Sequence, residues 1–227
     1  PAELAKLDRA VGGAITLAIR RGDFDGKLGA TLLLNGQESW LKAGLKAERV
    51  LVVGSGTGLN ADKAASGQTN QSFAKAARAA LRALIATPAS SALWLLGDFA
   101  KASELKRLEA GGFEQVRLAI QLAEEAVYKF VERHGQFSSK SSKSSTKLSS
   151  ITFASTARTD RAMREAVRVG VAVAAGINLT KDLGNLPPNI CNPSYLAKTA
   201  QSLVKKVGLK VDCLLYTSDA ADDTPCV

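Results

Sequence analysis

An α/β layered fold is predicted for this chain by three observations. Short β-branched apolar runs end in glycine or turn residues, amphipathic stretches with helical spacing lie between them, and the two kinds alternate along the sequence. Strands are expected at residues 31–34, 49–54, 92–96 and 150–154. Helices are expected at 4–19, 69–86, 113–130, 160–182 and from 193 onward. The arrangement expected is a three-layer domain with a mixed sheet flanked by helices, then a long linking helix and the first helix of a second α/β domain.

Each element has its own local reason. Leu4, Leu7, Val11, Ile15 and Ile19 recur at steps of three and four, one apolar stripe interrupted by Gly12 and Gly13. Gly22-Asp23-Phe24-Asp25-Gly26 is turn chemistry, and Thr31-Leu32-Leu33-Leu34 is a short apolar run ended by Asn35-Gly36. The run from Arg49 to Gly54 is continuously apolar and β-branched, the pattern of a strand covered on both faces. Phe73, Ala77, Leu81 and Leu84 share one side of an alanine-rich helix, and Ala92-Leu93-Trp94-Leu95-Leu96 reads as another buried strand.

Phe113, Val116, Ile120, Ala123, Val127 and Phe130 carry the least interrupted helical spacing in the chain. Residues 135–150 are serine and lysine with little to bury, and read as a flexible basic loop. The helix from Asp160 bears Val167, Val171, Ala174, Ala175, Ile177 and Leu179, enough for burial on more than one side. Gly184 ends it and Pro187-Pro188 forces an extended connector. Asn192-Pro193 is a side-chain cap with proline at the first helical position, opening a helix that carries Leu196, Ala200, Leu203 and Val207.

The 227 residues are 46% apolar, 5% aromatic and 22% charged, ordinary globular usage that excludes a disordered chain, a collagen rod or a coiled coil. No apolar run approaches the roughly 20 residues of a membrane-spanning helix. No charged segment followed by an apolar one reads as a secretory signal after Pro1, and three cysteines without a C-x-x-C pair make neither a disulfide framework nor a redox pair. A reducing, cytoplasmic location is the expectation.

Residues 213–227 differ from the rest: they hold two of the three cysteines, three aspartates and no lysine or arginine. They resemble translated sequencing-adapter read-through and are read as a non-native tail. With those three aspartates set aside, thirty basic residues face eighteen acidic ones, a charge of +12 for residues 1–212. Lysine and arginine read as spread along the chain rather than stacked on one helix, which is the pattern of a solvated basic surface.

Candidate chemistry is sparse. Gly54-Ser55-Gly56-Thr57-Gly58 follows a strand, and bare amides in such a turn suit an anion. Its spacing meets neither the dinucleotide fingerprint nor the P-loop, and Lys63 is followed by Ala64, so a flexible strand-to-helix loop is the preferred reading. Asp219, Asp222 and Asp223 are the one tight carboxylate cluster, but they lie in the suspect tail. His134 is the sole histidine and sits at a helix end, where the dipole suits its cationic form. Cys191, beside prolines and without a nearby base, reads as a small buried thiol rather than a nucleophile. Lys140, Lys143 and Lys147 lack interleaved aromatics, so they suit nonspecific phosphate contact and not base reading.

The segment from Val171 to Ala197, VAVAAGINLTKDLGNLPPNICNPSYLA, resembles the interdomain helix and connector of the leucyl (cytosol) aminopeptidases. Arg20-Arg-Gly-Asp-Phe-Asp-Gly-Lys-Leu-Gly-Ala-Thr-Leu-Leu-Leu, Glu48-Arg-Val-Leu-Val-Val-Gly and Val127-Tyr-Lys-Phe are similar to the amino-terminal domain of that family, in the expected order. On this resemblance residues 1–158 form a macro-like amino-terminal domain lacking its first strand. Residues 159–191 are then the interdomain helix and connector, and 192–212 an incomplete start of the peptidase domain.

The resemblance implies a cytoplasmic, homohexameric exopeptidase that removes amino-terminal residues from peptides with two divalent ions, zinc, manganese or magnesium. The family's metal-ligand motifs, K-G-x-x-x-D-[ST]-G-G and N-T-D-A-E-G-R, do not occur in this sequence, so no catalytic, cofactor-binding or metal residue is carried over. The expectation is a fragment that binds no cofactor and has no activity by itself. The apolar faces of residues 171–183 and 196–207 should then await a covering domain. The alternative is a basic nucleic-acid-binding module, and a small-ligand pocket near the glycine loop is a third reading resting on fold analogy.

Overall fold

The computed structural model describes residues 2–56, 66–95, 105–130, 147–154 and 160–213. It comprises two compact units, one of residues 1–128 and 137–175 and another of 129–136 and 176–227.

The first unit opens with α1 (Ala2–Ala10) and α2 (Ala14–Arg21). The single helix expected, interrupted at Gly12 and Gly13, is divided there into two, as Gly12 at φ 70° and Gly13 at φ 77° take the left-handed conformation. Asp8 bridges the break, accepting from the backbone amides of Ile15 and Thr16 at 3.0 and 3.1 Å and from the Thr16 hydroxyl. It thereby satisfies orphan donors of the second helix from one turn before the glycines.

The hairpin β1 (Thr31–Asn35) and β2 (Arg49–Val53) is antiparallel, with Leu33 opposite Leu51 and Asn35 opposite Arg49. The connection holds a short helix not anticipated from the sequence, α3 (Glu38–Lys42), whose Trp40 is 2% exposed and fixes it to the core. β2 is covered on both faces, as its unbroken apolar run implied. Val50 and Val52 pack with Val11, Ile15 and Trp40, while Leu51 and Val53 pack on the opposite side with Phe73, Ala77 and Leu81. Helices therefore lie above and below this hairpin.

Those last three residues belong to α4 (Ser66–Ile85). It packs along α5 (Leu105–Val127), which begins eight residues before the expected start and runs through Gly111 and Gly112 despite a cost of about 1 kcal/mol each relative to alanine. Ala76, Ala77 and Ala80 of α4 and Ala119 of α5 are all at most 4% exposed, and such small side chains let the two helices approach closely.

β3 (Ser91–Trp94) and β4 (Ser150–Phe153) pair in parallel, Trp94 beside Phe153 with ring centroids 5.9 Å apart. The α/β class is as expected and both pairing senses are present. Among the described residues, however, the four strands form two separate two-stranded ladders and not one hydrogen-bonded sheet. They are joined by side chains, since Leu51, Val53, Trp94, Ile151 and Phe153 all pack into the cluster built on α4 and α5. The buried strand expected at 92–96 is covered on one face only: Trp94 is 8% exposed and Leu93 is 64% exposed.

Finally α6 (Asp160–Asn185) lays Met163 and Ala166 against Phe113, Val116 and Ile120 of α5. Gly170 makes that crossing possible: a Cβ there would lie 3.1 Å from Ile120 Cβ and 3.2 Å from the Arg117 carbonyl oxygen. The division between the two units falls within α6, between residues 175 and 176. In the second unit a connector leads to α7 (Pro193–Val207), which opens as expected with Asn192 Oδ1 accepting from the Tyr195 amide at 2.9 Å. No residue of α7 is buried, and Leu196, Val204 and Val207 are 45, 40 and 65% exposed.

Candidate functional site

The glycine turn after β2 is closed rather than open. Gly54 N donates to Ala30 O at 2.7 Å, Gly56 N donates to Gly26 O at 3.0 Å, and Gly54 O accepts from Gly29 N at 2.9 Å. A Cβ on Gly54 would collide with the Lys27 carbonyl oxygen and lie 2.7 Å from the Gly26 carbonyl carbon. Two chain segments therefore touch backbone to backbone, which is why glycine is needed. The amides of Gly54 and Gly56 are thus engaged by the backbone of the same chain. Thr57, Gly58 and Lys63 lie outside the described residues.

The opposing turn is itself held by Asp25, which accepts from the Lys27 amide at 3.0 Å and pairs with Lys27 Nζ at 2.7 Å. The Lys27 ammonium holds the Asp25 carboxyl below its ordinary range, and Asp25 raises Lys27 in return.

Beside this turn runs a basic groove. Lys75, Arg78 and Arg82 of α4, with Leu28, Gly29 and Gln71, line a hollow of ≈ 540 Å³. A second hollow of ≈ 350 Å³ continues between Arg78 and Arg82 on one side and Ile85, Leu122 and Glu125 on the other. Glu125 Oε2 lies 3.9 Å from Arg78 Nη2, with both side chains half exposed. Lys75 and Arg82 form no ion pair among the described residues. These three of the thirty basic residues share one exposed face of α4. The spacing 75, 78 and 82 on the side opposite Phe73, Ala77 and Leu81 carried that signal.

The connector before α7 is a compact turn in which Ile190 N and Cys191 N both donate to the Pro187 carbonyl at 2.9 Å. Cys191 is half-buried with a free thiol, where a small buried thiol was expected, because this turn carries it over the surface. Lys147 is exposed. His134, Lys140, Lys143, Asp219, Asp222 and Asp223 lie outside the described residues. No group of three or more His, Cys, Asp or Glu side chains among the described residues could hold a metal ion, so the described residues do not fit a dinuclear centre. No helix among them is long and apolar enough to cross a membrane.

What these features define is an α/β domain with a long exit helix, in which no nucleophile, base and metal-ligand set converges among the described residues. Residues 1–134 match the model of the cytosol aminopeptidase family, N-terminal domain, and the chain belongs to that family. A probable cytosol aminopeptidase of Ralstonia pickettii is 40% identical over 208 residues, covering 92% of this chain and 38% of that protein. One from Paraburkholderia xenovorans is 37% identical over 209 residues, covering 92% and 37%.

The chain thus spans under two-fifths of the length of these curated relatives. Among solved structures, a tomato leucine aminopeptidase superposes with a TM-score of 0.59 at 19% identity, over 88% of this chain and 34% of that one. The bottromycin maturation enzyme BotP, in complex with Mn, gives 0.56 at 24% identity over 85% and 34%. At such identities the structures bear on the fold alone, and the α/β amino-terminal domain is common to all three.

Proposed function

We propose that this chain is the amino-terminal, macro-like domain and linking helix of a dinuclear metal-dependent aminopeptidase that releases amino-terminal residues from peptides. The observation that carries the reading is coverage: 92% of the chain aligns with 38% of a cytosol aminopeptidase. Catalysis belongs to the remainder of such a protein, where paired zinc, manganese or magnesium ions supply an activated water. This chain's part is positioning. The two-sided packing of β2 and the seat of α6 on α5 hold the exit helix, and the Asn192 cap starts α7 at a set point. A homohexamer and a cytoplasmic location complete the proposal.

The test is hydrolysis of leucine amide by the pure 227-residue chain with added manganese or zinc. The expected result is no turnover above a metal-only blank, with turnover appearing in a longer product that includes the family's downstream metal motifs. Turnover by the 227-residue chain that a chelator abolishes would overturn it.

A second reading, a nucleic-acid-binding module, is favoured by the Lys75, Arg78 and Arg82 stripe and the +12 charge of residues 1–212. Binding of a DNA duplex would weaken steeply with salt, and replacing the three cations by glutamine would lower the log–log salt slope by about 2 to 3. A salt-independent affinity, or a slope unchanged in the triple variant, excludes this role for the groove.

A further inference from the structure

Asn35-Gly36 is the only Asn-Gly dipeptide in the sequence. Such a pair is chemically special, because the amide nitrogen after an asparagine can attack its side-chain carbonyl, and glycine offers no side chain to obstruct the attack. Here both partners are accessible to water, Asn35 ending β1 on an exposed position and Gly36 following it exposed. The fold explains why glycine cannot be replaced. A Cβ on Gly36 would lie 2.7 Å from the Glu48 carbonyl oxygen and 3.2 Å from its carbon, so the returning strand needs that space. The reactive dipeptide is therefore built into the hairpin by a packing requirement.

The same contact restrains the chemistry. Gly36 N, the nucleophile, donates to Glu48 O at 2.6 Å, and Asn35 is held extended opposite Arg49. Ring closure requires that hydrogen bond to break and Asn35 to leave the extended region. We propose that Asn35 is a covalent modification site, deamidating through a succinimide at a rate set by opening of the Asn35–Arg49 end of the hairpin.

In the first step Gly36 N loses its proton and bonds to Asn35 Cγ, and the side-chain nitrogen leaves as ammonia. Water then adds to either ring carbonyl, giving aspartate or, when the backbone carbonyl is attacked, isoaspartate. No oxidant or other co-reactant is needed. The product places a new carboxylate beside the Arg49–Glu48 ion pair, whose Nη1–Oε2 distance is 3.2 Å. Isoaspartate also lengthens the main chain by one carbon at the ladder end, which displaces the Asn35–Arg49 pair. The modification is thus a one-way mark of hairpin opening.

The test incubates the full chain in mildly alkaline buffer, with and without urea, and follows the tryptic peptide Leu28–Lys42 by mass and by the chromatographic split between aspartate and isoaspartate. Conversion in buffer is expected to be at least about tenfold slower than in urea, because only the opened fraction of hairpins reacts. Leu34→Ala, which loosens the same end of the hairpin, should raise the native rate without altering the rate in urea. Asn178 and Asn189, followed by Leu179 and Ile190, serve as slow internal references. Equal rates in buffer and urea, or no conversion in urea, would overturn the proposal. So would a native rate insensitive to Leu34→Ala in a variant that circular dichroism shows to be folded.

Discussion

The carbonyl of Lys27 occupies the space into which any side chain on Gly54 would have to grow. That single backbone contact closes the turn after β2 onto the turn before β1, and three main-chain hydrogen bonds seal it. Gly54→Ala must push two backbone segments apart, so a loss of about 2 kcal/mol or more is expected. Urea unfolding should show it as a lower midpoint with an unchanged slope; a midpoint equal to that of the parent protein would mean the contact yields easily.

Two glycines of α6 should respond in opposite ways. Gly176 has nothing within 4 Å of an added Cβ, so Gly176→Ala should stabilise by about 0.5 to 1 kcal/mol through helix propensity. Gly170→Ala gains the same propensity but must widen the α5 crossing at Ile120 and the Arg117 carbonyl. Overpacking costs about 1 to 3 kcal/mol, so this variant should fall below Gly176→Ala by that margin. Equal thermal midpoints for the two would count against the close crossing.

Asp8 ties α1 to α2 by accepting from Ile15, Thr16 and the Thr16 hydroxyl. The Thr16 hydroxyl, assisted by both amides, holds its carboxyl below the ordinary value of 3.8. A carboxyl depressed in the folded state stabilises at pH above its unfolded value, and this contribution disappears as pH falls through the folded value. Stability should therefore drop on acidification below about pH 4. Asp8→Ala should cost about 1 kcal/mol at neutral pH and flatten that acid limb. An acid limb identical in the two proteins would assign it to other carboxylates.

Both tryptophans are buried, Trp40 at 2% and Trp94 at 8% exposure, and they belong to different clusters. Trp94 packs on Phe153 across the parallel ladder, while its indole nitrogen is buried without a hydrogen-bond partner among the described residues. Phe153→Ala should cost about 3 kcal/mol. Trp94→Phe should cost less than a large-to-small change of its size normally does, because it also removes an unsatisfied donor. Trp40→Phe leaves Trp94 as sole emitter, reporting the α4 and α5 cluster alone. A Trp94→Phe cost equal to that of Phe153→Ala would contradict the donor argument.

Much of the secondary structure was legible in the residues. The apolar stripe of α4, the capped start of α7 and the two-sided burial of β2 all follow from spacing and turn chemistry, which act over a few residues. The family resemblance carried by the segment around the connector also holds. α3 escaped notice because its five residues are too short for a period, and one long-range contact, Trp40 in the core, holds it in place. The basic groove was legible on α4 but was averaged away when charges were counted along the whole chain.

The sequence by itself determined where the chain turns, which faces are apolar and which family it resembles, because those depend on local conformational preference and on order along the chain. Tertiary structure decided what the glycines are for. Whether the amides of Gly54 and Gly56 face a ligand or another strand of the same chain depends on Gly26 and Ala30, more than twenty residues earlier. It also decided that Leu51 and Val50 serve different cores, and that Leu93 is exposed while Trp94 is buried. Period-two alternation specifies that neighbours point to opposite faces, and only packing against other elements specifies which face is covered.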